Sequence, residues 1–170
     1  MKTFIIGAVL MAATSAYSHA ETKLTDGEVA KVLLTINDGE IDAANIAQDK
    51  SKNPDIKSFA TMMADQHKEN MQASKKIVKD NRLDTKTSEL SKSLAADAKT
   101  DNKEIKKTGA GFDKAYVAEQ IKMHEKALQT IDDVLLPNAT NPDLKDHLTK
   151  TRVAVAEHLD HAKSLRDKLN

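Results

Sequence analysis

Four residues able to ligate a metal, Glu40, His67, His124 and His158, each interrupt the apolar stripe of a different predicted helix. A helical core normally excludes groups with unmet charge or hydrogen bonds. Four such interruptions in four helices therefore imply that the side chains converge and satisfy one another or a shared ion. Three imidazoles and one carboxylate suit zinc, copper or non-haem iron, and the residue types do not choose among them. The four methionines beyond residue 20 are Met62, Met63, Met71 and Met123, all within five residues of His67 or His124. Met63 and Met71 share the face of His67 and are additional soft ligands if copper is the ion, although methionine also fills gaps in helical cores. His161, three residues after His158, is a further candidate ligand or a solvent-facing neighbour.

The competing interpretation keeps the same residues as a buried polar cluster, each imidazole bonded to a neighbour and Glu40 accepting from His67 or His124. Other chemistry lacks its signatures. There is no cysteine, no Gly-x-Ser-x-Gly and no glycine-rich phosphate loop, so nucleophilic catalysis and nucleotide binding lack their motifs. A carboxylate-bridged di-iron centre requires Glu-x-x-His pairs, yet Ala64 stands three before His67 and Val155 three before His158. Binding rather than catalysis is the expectation.

The elements that must carry these residues are helices. Thr25-Asp26-Gly27-Glu28 is a capping box, after which Val29, Val32, Leu33, Ile36, Ala43, Ile46 and Ala47 recur at helical spacing with Glu40 among them. Asn53-Pro54 starts a second helix, with Ile56, Phe59, Ala60, Met63, His67, Met71, Ser74 and Val78 inward. A break over residues 81–87 precedes a charged helix carrying Leu90, Leu94, Ala98 and Ile105, ended by Gly109-Ala110-Gly111. The pattern returns from Phe112 through Tyr116, Val117, Gln120, His124, Ala127, Leu128, Ile131, Val134 and Leu135, and is expected to stop before Pro137. A last helix runs from Asn141-Pro142 through Leu144, Leu148, Val155, His158, Leu159, Ala162, Leu165 and Leu169.

Asn53-Pro54-Asp55-Ile56-Lys57 returns as Asn141-Pro142-Asp143-Leu144-Lys145. The repeat fits two similar helical hairpins joined by the long, partly helical crossover 80–111, the connection pattern of a ferritin-like four-helix bundle. Counted from the turn near residue 52, Glu40 and His67 lie at similar heights, within roughly one turn at ~1.5 Å per residue. His124 and His158 straddle the turn near 139 with a similar offset.

At the start of the chain, Lys2, the apolar run Phe4–Ala13 and Ser18-His19-Ala20 read as a cleavable signal peptide cut after Ala20. Residues 21–170 then form a single domain, exported and expected in the periplasm. No later segment has the roughly 20 apolar residues of a membrane span. The 26 basic and 26 acidic residues balance, and losing Lys2 leaves one net negative charge, giving no electrostatic reason to expect nucleic acid. Three aromatics beyond residue 20, Phe59, Phe112 and Tyr116, are too few for a base-stacking platform.

Three stretches carry a family resemblance. They are Asn53, Ile56-Lys57, Phe59-Ala60, Met63, Asp65 and His67; then Phe112-Asp113, Tyr116-Val117, Gln120 and His124; then His158-Leu159 and Ala162. In these the chain resembles an exported bacterial family catalogued as domain of unknown function 4142. The resemblance implies a ferritin-like helical bundle and an envelope or periplasmic location. In the family pattern an aspartate adjoins the histidine, whereas here Gln66 separates Asp65 from His67. The combined expectation is a bundle that binds a transition metal for sequestration or sensing. The alternative is a non-enzymatic envelope stress or protein-interaction module whose polar cluster fixes helix register.

Overall fold

A computed structural model describes residues 23–169, all helix and connecting turns; the expected signal peptide lies outside the described residues. Helix α1 spans Asp26–Lys50 and α2 Pro54–Asp80. Helix α3 spans Glu89–Lys107 and α4 Phe112–Thr130. A π-helical turn, Ile131–Leu135, leads into the short α5, Leu136–Asn138, and α6 covers Pro142–Leu169.

The local signals act as expected. Thr25 caps α1 and Glu28 returns to the Thr25 amide, closing the capping box. Asn53 Oδ1 accepts from the Asp55 amide, with Pro54 as the first helical residue of α2. Asn141 Oδ1 performs the same task for Leu144 at the start of α6. Ser88 and Ser91 form a reciprocal cap on α3.

The expected stop before Pro137 is not observed. Proline lacks an N–H and its ring crowds the carbonyl four residues back. The helix accommodates this by widening one turn earlier, where the Leu136 amide bonds the Ile131 carbonyl five residues away. Asn138 Nδ2 then takes the Val134 carbonyl at 2.8 Å, and helical structure continues through Pro137 to Asn138.

Helices α1 and α2 pack as one hairpin, α4 and α6 as another; α2 meets α6 and α1 meets α4, so four long helices enclose the centre. The crossover helix α3 lies along the outside of α1 and meets α4 at few points. This second neighbour explains why α1 is buried on more faces than its stripe suggests, including Gly39. Gly39 permits the close crossing, because a Cβ there would stand 2.8 Å from that of Ala98. Asn102 Nδ2 bonds the Gly39 carbonyl at the same crossing.

Two apolar clusters fill the interior. One gathers Ala43, Ala47, Ile56, Phe59, Met63, Tyr116, Val117 and Leu165; the other gathers Val29, Leu33, Leu94, Ile131, Leu135, Leu144, Leu148 and Val155. Buried Asn37, Glu40, His67, Gln120, His124, Thr151 and His158 belong to neither. They form a polar layer from the middle of α1, α2, α4 and α6. No described helix is long and apolar enough to cross a membrane.

Candidate metal centre

The polar layer brings three of the four expected residues into one group. One ring nitrogen from each of His67, His124 and His158 lies within 4.8 Å of the other two, and all three side chains are buried. Their ring centroids form a nearly equilateral triangle with sides of 5.9, 5.3 and 5.4 Å, the planes inclined at 52–75°. For comparison, metal–nitrogen bonds of about 2.1 Å at tetrahedral angles place three imidazole centroids about 5.2 Å apart. Closing on one ion would draw the ring nitrogens, up to 4.8 Å apart, to about 3.4 Å from one another.

Each imidazole is held by one nitrogen. His67 Nδ1 lies 2.9 Å from Asn37 Oδ1, His124 Nδ1 lies 2.8 Å from the Gln120 carbonyl, and His158 Nε2 lies 2.6 Å from Gln66 Oε1. All three partners are acceptors, so each of these nitrogens carries the proton and donates. The opposite nitrogens, His67 Nε2, His124 Nε2 and His158 Nδ1, are buried without a hydrogen-bond partner. In a neutral ring these are the unprotonated nitrogens, with a lone pair available to a cation. Pinning one nitrogen to an oxygen acceptor fixes tautomer and ring orientation in metal-binding histidines generally.

The Asn37 pin is itself anchored. Its Nδ2 donates to the Leu33 carbonyl at 3.0 Å and to Asn70 Oδ1 at 2.8 Å, which turns Oδ1 toward His67. Asn70 Nδ2 continues to Thr151 Oγ1 at 2.7 Å, and that hydroxyl donates to the His147 carbonyl at 2.9 Å. The orientation of one ring on α2 is thus set through α1 and α6. Ser74 and His147 form a side branch at 2.9 Å. Because Ser74 Oγ donates to the Asn70 carbonyl, it accepts from His147 Nε2, the wrong polarity for an activated nucleophile.

Burial governs the charge state. Desolvation pushes the His124 and His158 imidazoles down to about 4, and the neighbouring charge of His124 adds to the effect on His158. Desolvation also holds His67 well below its ordinary range, with contributions from His124 and His158. Three neutral rings at neutral pH are the form a metal ion requires.

Glu40 stands apart from this group. Its Oε1 is 3.6 Å from His124 Nδ1, the proton-bearing edge, whereas the unpartnered nitrogen of that ring is Nε2. Gln120 Nε2 donates to Glu40 Oε2 at 3.1 Å. Burial pushes the Glu40 carboxyl up to about 8 despite that hydrogen bond. Glu40 therefore lies behind His124 as an uncharged outer neighbour, and the geometry does not place it beside the three nitrogens.

Met63 is fully buried within the apolar cluster near Phe59, and Met71 is half-buried. His161 is exposed, with its ring 4.9 Å edge-on from Phe59 rather than in the triangle. The residues that sequence patterning passed over are the pins. Asn37 shares the helical phase of Leu33 and Glu40, and Gln120 already stood in the α4 stripe. Gln66 is exposed and off the stripe, so no periodicity marks it; Asp65 is also exposed.

No curated protein and no solved structure matches this chain. The profile of the family described as domain of unknown function (DUF4142) matches residues 11–165, across all the elements that build the histidine triangle. The chain belongs to that family.

Proposed function

We propose that this protein binds one transition-metal ion in the polar layer of a ferritin-like bundle, on His67 Nε2, His124 Nε2 and His158 Nδ1, for sequestration or sensing. The observation that carries this reading is the matched set of three buried imidazoles, each with one N–H pinned to an oxygen and the opposite nitrogen unpartnered. A cluster built only to fix helix register gains nothing from three orphaned nitrogens, because each costs about 1–3 kcal/mol in desolvation.

The donor set favours zinc or copper. Three neutral nitrogens with no thiolate match the ligand preferences of both ions, whereas a non-haem iron site of the two-histidine, one-carboxylate kind needs a carboxylate at the metal. Glu40, behind His124, is not so placed. The signal-like start supports export to the periplasm, with residues 21–170 as one domain.

The test is metal content. Protein prepared from the periplasm without chelator or histidine tag is expected to carry near-stoichiometric zinc or copper by mass spectrometry. A His67→Ala/His124→Ala variant is expected to carry none. Metal-free wild type, persisting after reconstitution with zinc, copper and iron, would leave the cluster a purely structural device.

A further inference from the structure

A centre buried this deeply needs a route from solvent. From the structure we infer that ions reach the histidine triangle through the cleft between α3 and α4, with Glu40 at its floor as the last side chain before His124. This inference rests on the metal-binding reading above. The cleft encloses about 370 Å³ and is lined by Thr35, Ile36, Leu94, Met123 and Ala127, with Glu40 also in its lining. Glu40 is only 1% exposed, and its Oε1 makes no hydrogen bond while lying 3.6 Å from His124. Glu40 thus stands between the cleft and His124, on the N–H edge of a ring that belongs to the triangle. Three other surface clefts, beside Asp42, Glu89 and Arg82, are lined by none of the polar-layer residues.

The rim is built from ion pairs. Asp97 pairs with Lys126 at 2.6 Å, while Lys122 lies 3.1 Å from both Asp101 and Glu119. Two carboxylates of the lining, Asp97 and Asp101, thus face two ammonium groups, Lys126 and Lys122, so the mouth is polar and balanced in charge. Inside, the Met123 thioether lines the way inward as a soft donor, beside Glu40. The seam is also sparsely joined, since α3 lies along α1 and meets α4 at few points.

The chain has no cysteine, so a plug can be installed after folding at one chosen position. Thr35→Cys places a thiol in the cleft, to be compared before and after alkylation with N-phenylmaleimide. Asp42→Cys, alkylated in the same way, is the control in a cleft that leads elsewhere. Uptake is followed by transfer from chromophoric chelators loaded with zinc or with copper(I), and affinity by equilibrium competition with the same reagents.

Alkylation at position 35 is expected to slow uptake by about tenfold or more and to leave equilibrium affinity within about twofold, because a route changes rates and not end states. Alkylation at position 42 is expected to change neither. An unchanged rate at position 35, or equal slowing at both positions, overturns the assigned route while leaving metal binding intact. If unmodified protein takes up neither ion at equilibrium, the metal-binding reading fails and the route fails with it.

Discussion

His67 donates its Nδ1–H to Asn37 Oδ1 at 2.9 Å, and this contact decides which nitrogen of the ring is left for a cation. Asn37 performs this task from a neighbouring helix, its amide fixed by the Leu33 carbonyl and by Asn70. Removing the pin frees the His67 ring to rotate and to change tautomer while leaving all three imidazoles in place. Asn37→Ala is therefore expected to weaken metal affinity by about 10–100-fold, the usual effect of losing such an outer partner. A His67→Ala variant should lose measurable binding. Competition titration against a chromophoric chelator separates the two, and wild-type affinity in Asn37→Ala would show that the pin does not orient a ligand.

The same layer sets the pH dependence of the metal-free protein. Below about 6.5 the unfolded chain takes up protons on His67, His124 and His158, whereas the folded chain resists until pH is near 4 for His124 and His158. The unfolded state then binds more protons, so stability falls with acidification, by on the order of 3 kcal/mol from His124 alone. Glu40 acts in the opposite sense. Its folded carboxyl keeps a proton up to about 8, so its contribution is full below the unfolded value near 4.5 and is lost as pH rises. Between 4.5 and 6.5 three imidazoles outweigh one carboxyl, and above 6.5 Glu40 acts alone. Stability should thus peak near pH 6.5, and Glu40→Gln should flatten the alkaline side and steepen the acid side. Urea midpoints measured from pH 4.5 to 8.5 test both statements; an unchanged alkaline limb in Glu40→Gln would rule out this role.

What could be read from the sequence divides by physical range. Thr25, Asn53 and Asn141 announce their helices because a cap acts within three residues, and the histidines announce a shared layer because helical phase is local. Asn37 was legible in principle, standing four after Leu33 and three before Glu40, but Asn patterning in a stripe does not name its partner on another helix. Gln66 carries no such phase, and only the packing of α6 against α2 turns it toward His158. Glu40 shares the α1 stripe with Ile36 and Ala43, yet phase fixes a face and not which edge of His124 the carboxyl meets. Pro137 misleads for a related reason: proline forbids one hydrogen bond, and a single π-helical turn rearranges its neighbours so that the helix persists.

Two glycines on α1 should respond unequally to the same substitution. A Cβ on Gly27 would lie 1.9 Å from the Asp84 carbonyl oxygen, a backbone atom that cannot move without shifting the 81–88 connection. Gly27→Ala is expected to cost about 3 kcal/mol, at the upper end of overpacking penalties. On Gly39 the new atom would meet the Ala98 methyl at 2.8 Å, and alanine's helical preference, worth about 1 kcal/mol over glycine, offsets part of the strain. Gly39→Ala should therefore lower the denaturation midpoint less than Gly27→Ala. Ala98→Gly should relieve the Gly39→Ala contact in a double-mutant cycle, and purely additive effects would mean that α3 does not approach α1 this closely.

Metal binding and register fixing by the polar layer also part company in thermal unfolding. An ion that binds only the native state stabilises it by about 2.7 kcal/mol when free metal is 100 times Kd. For a domain of this size that corresponds to roughly 5–10 °C in Tm. The wild-type protein should show this rise with zinc or copper, whereas the His67→Ala/His124→Ala variant should show none, whatever its own starting Tm. The comparison does not depend on the variant being as stable as its parent, because each protein serves as its own metal-free reference. If wild type and variant rise equally, the ion binds elsewhere, for example at exposed carboxylates; if neither moves, the orphaned ring nitrogens have no metal to serve. A rise confined to wild type ties the stabilising ion to the ring nitrogens opposite those that Asn37, Gln120 and Gln66 hold.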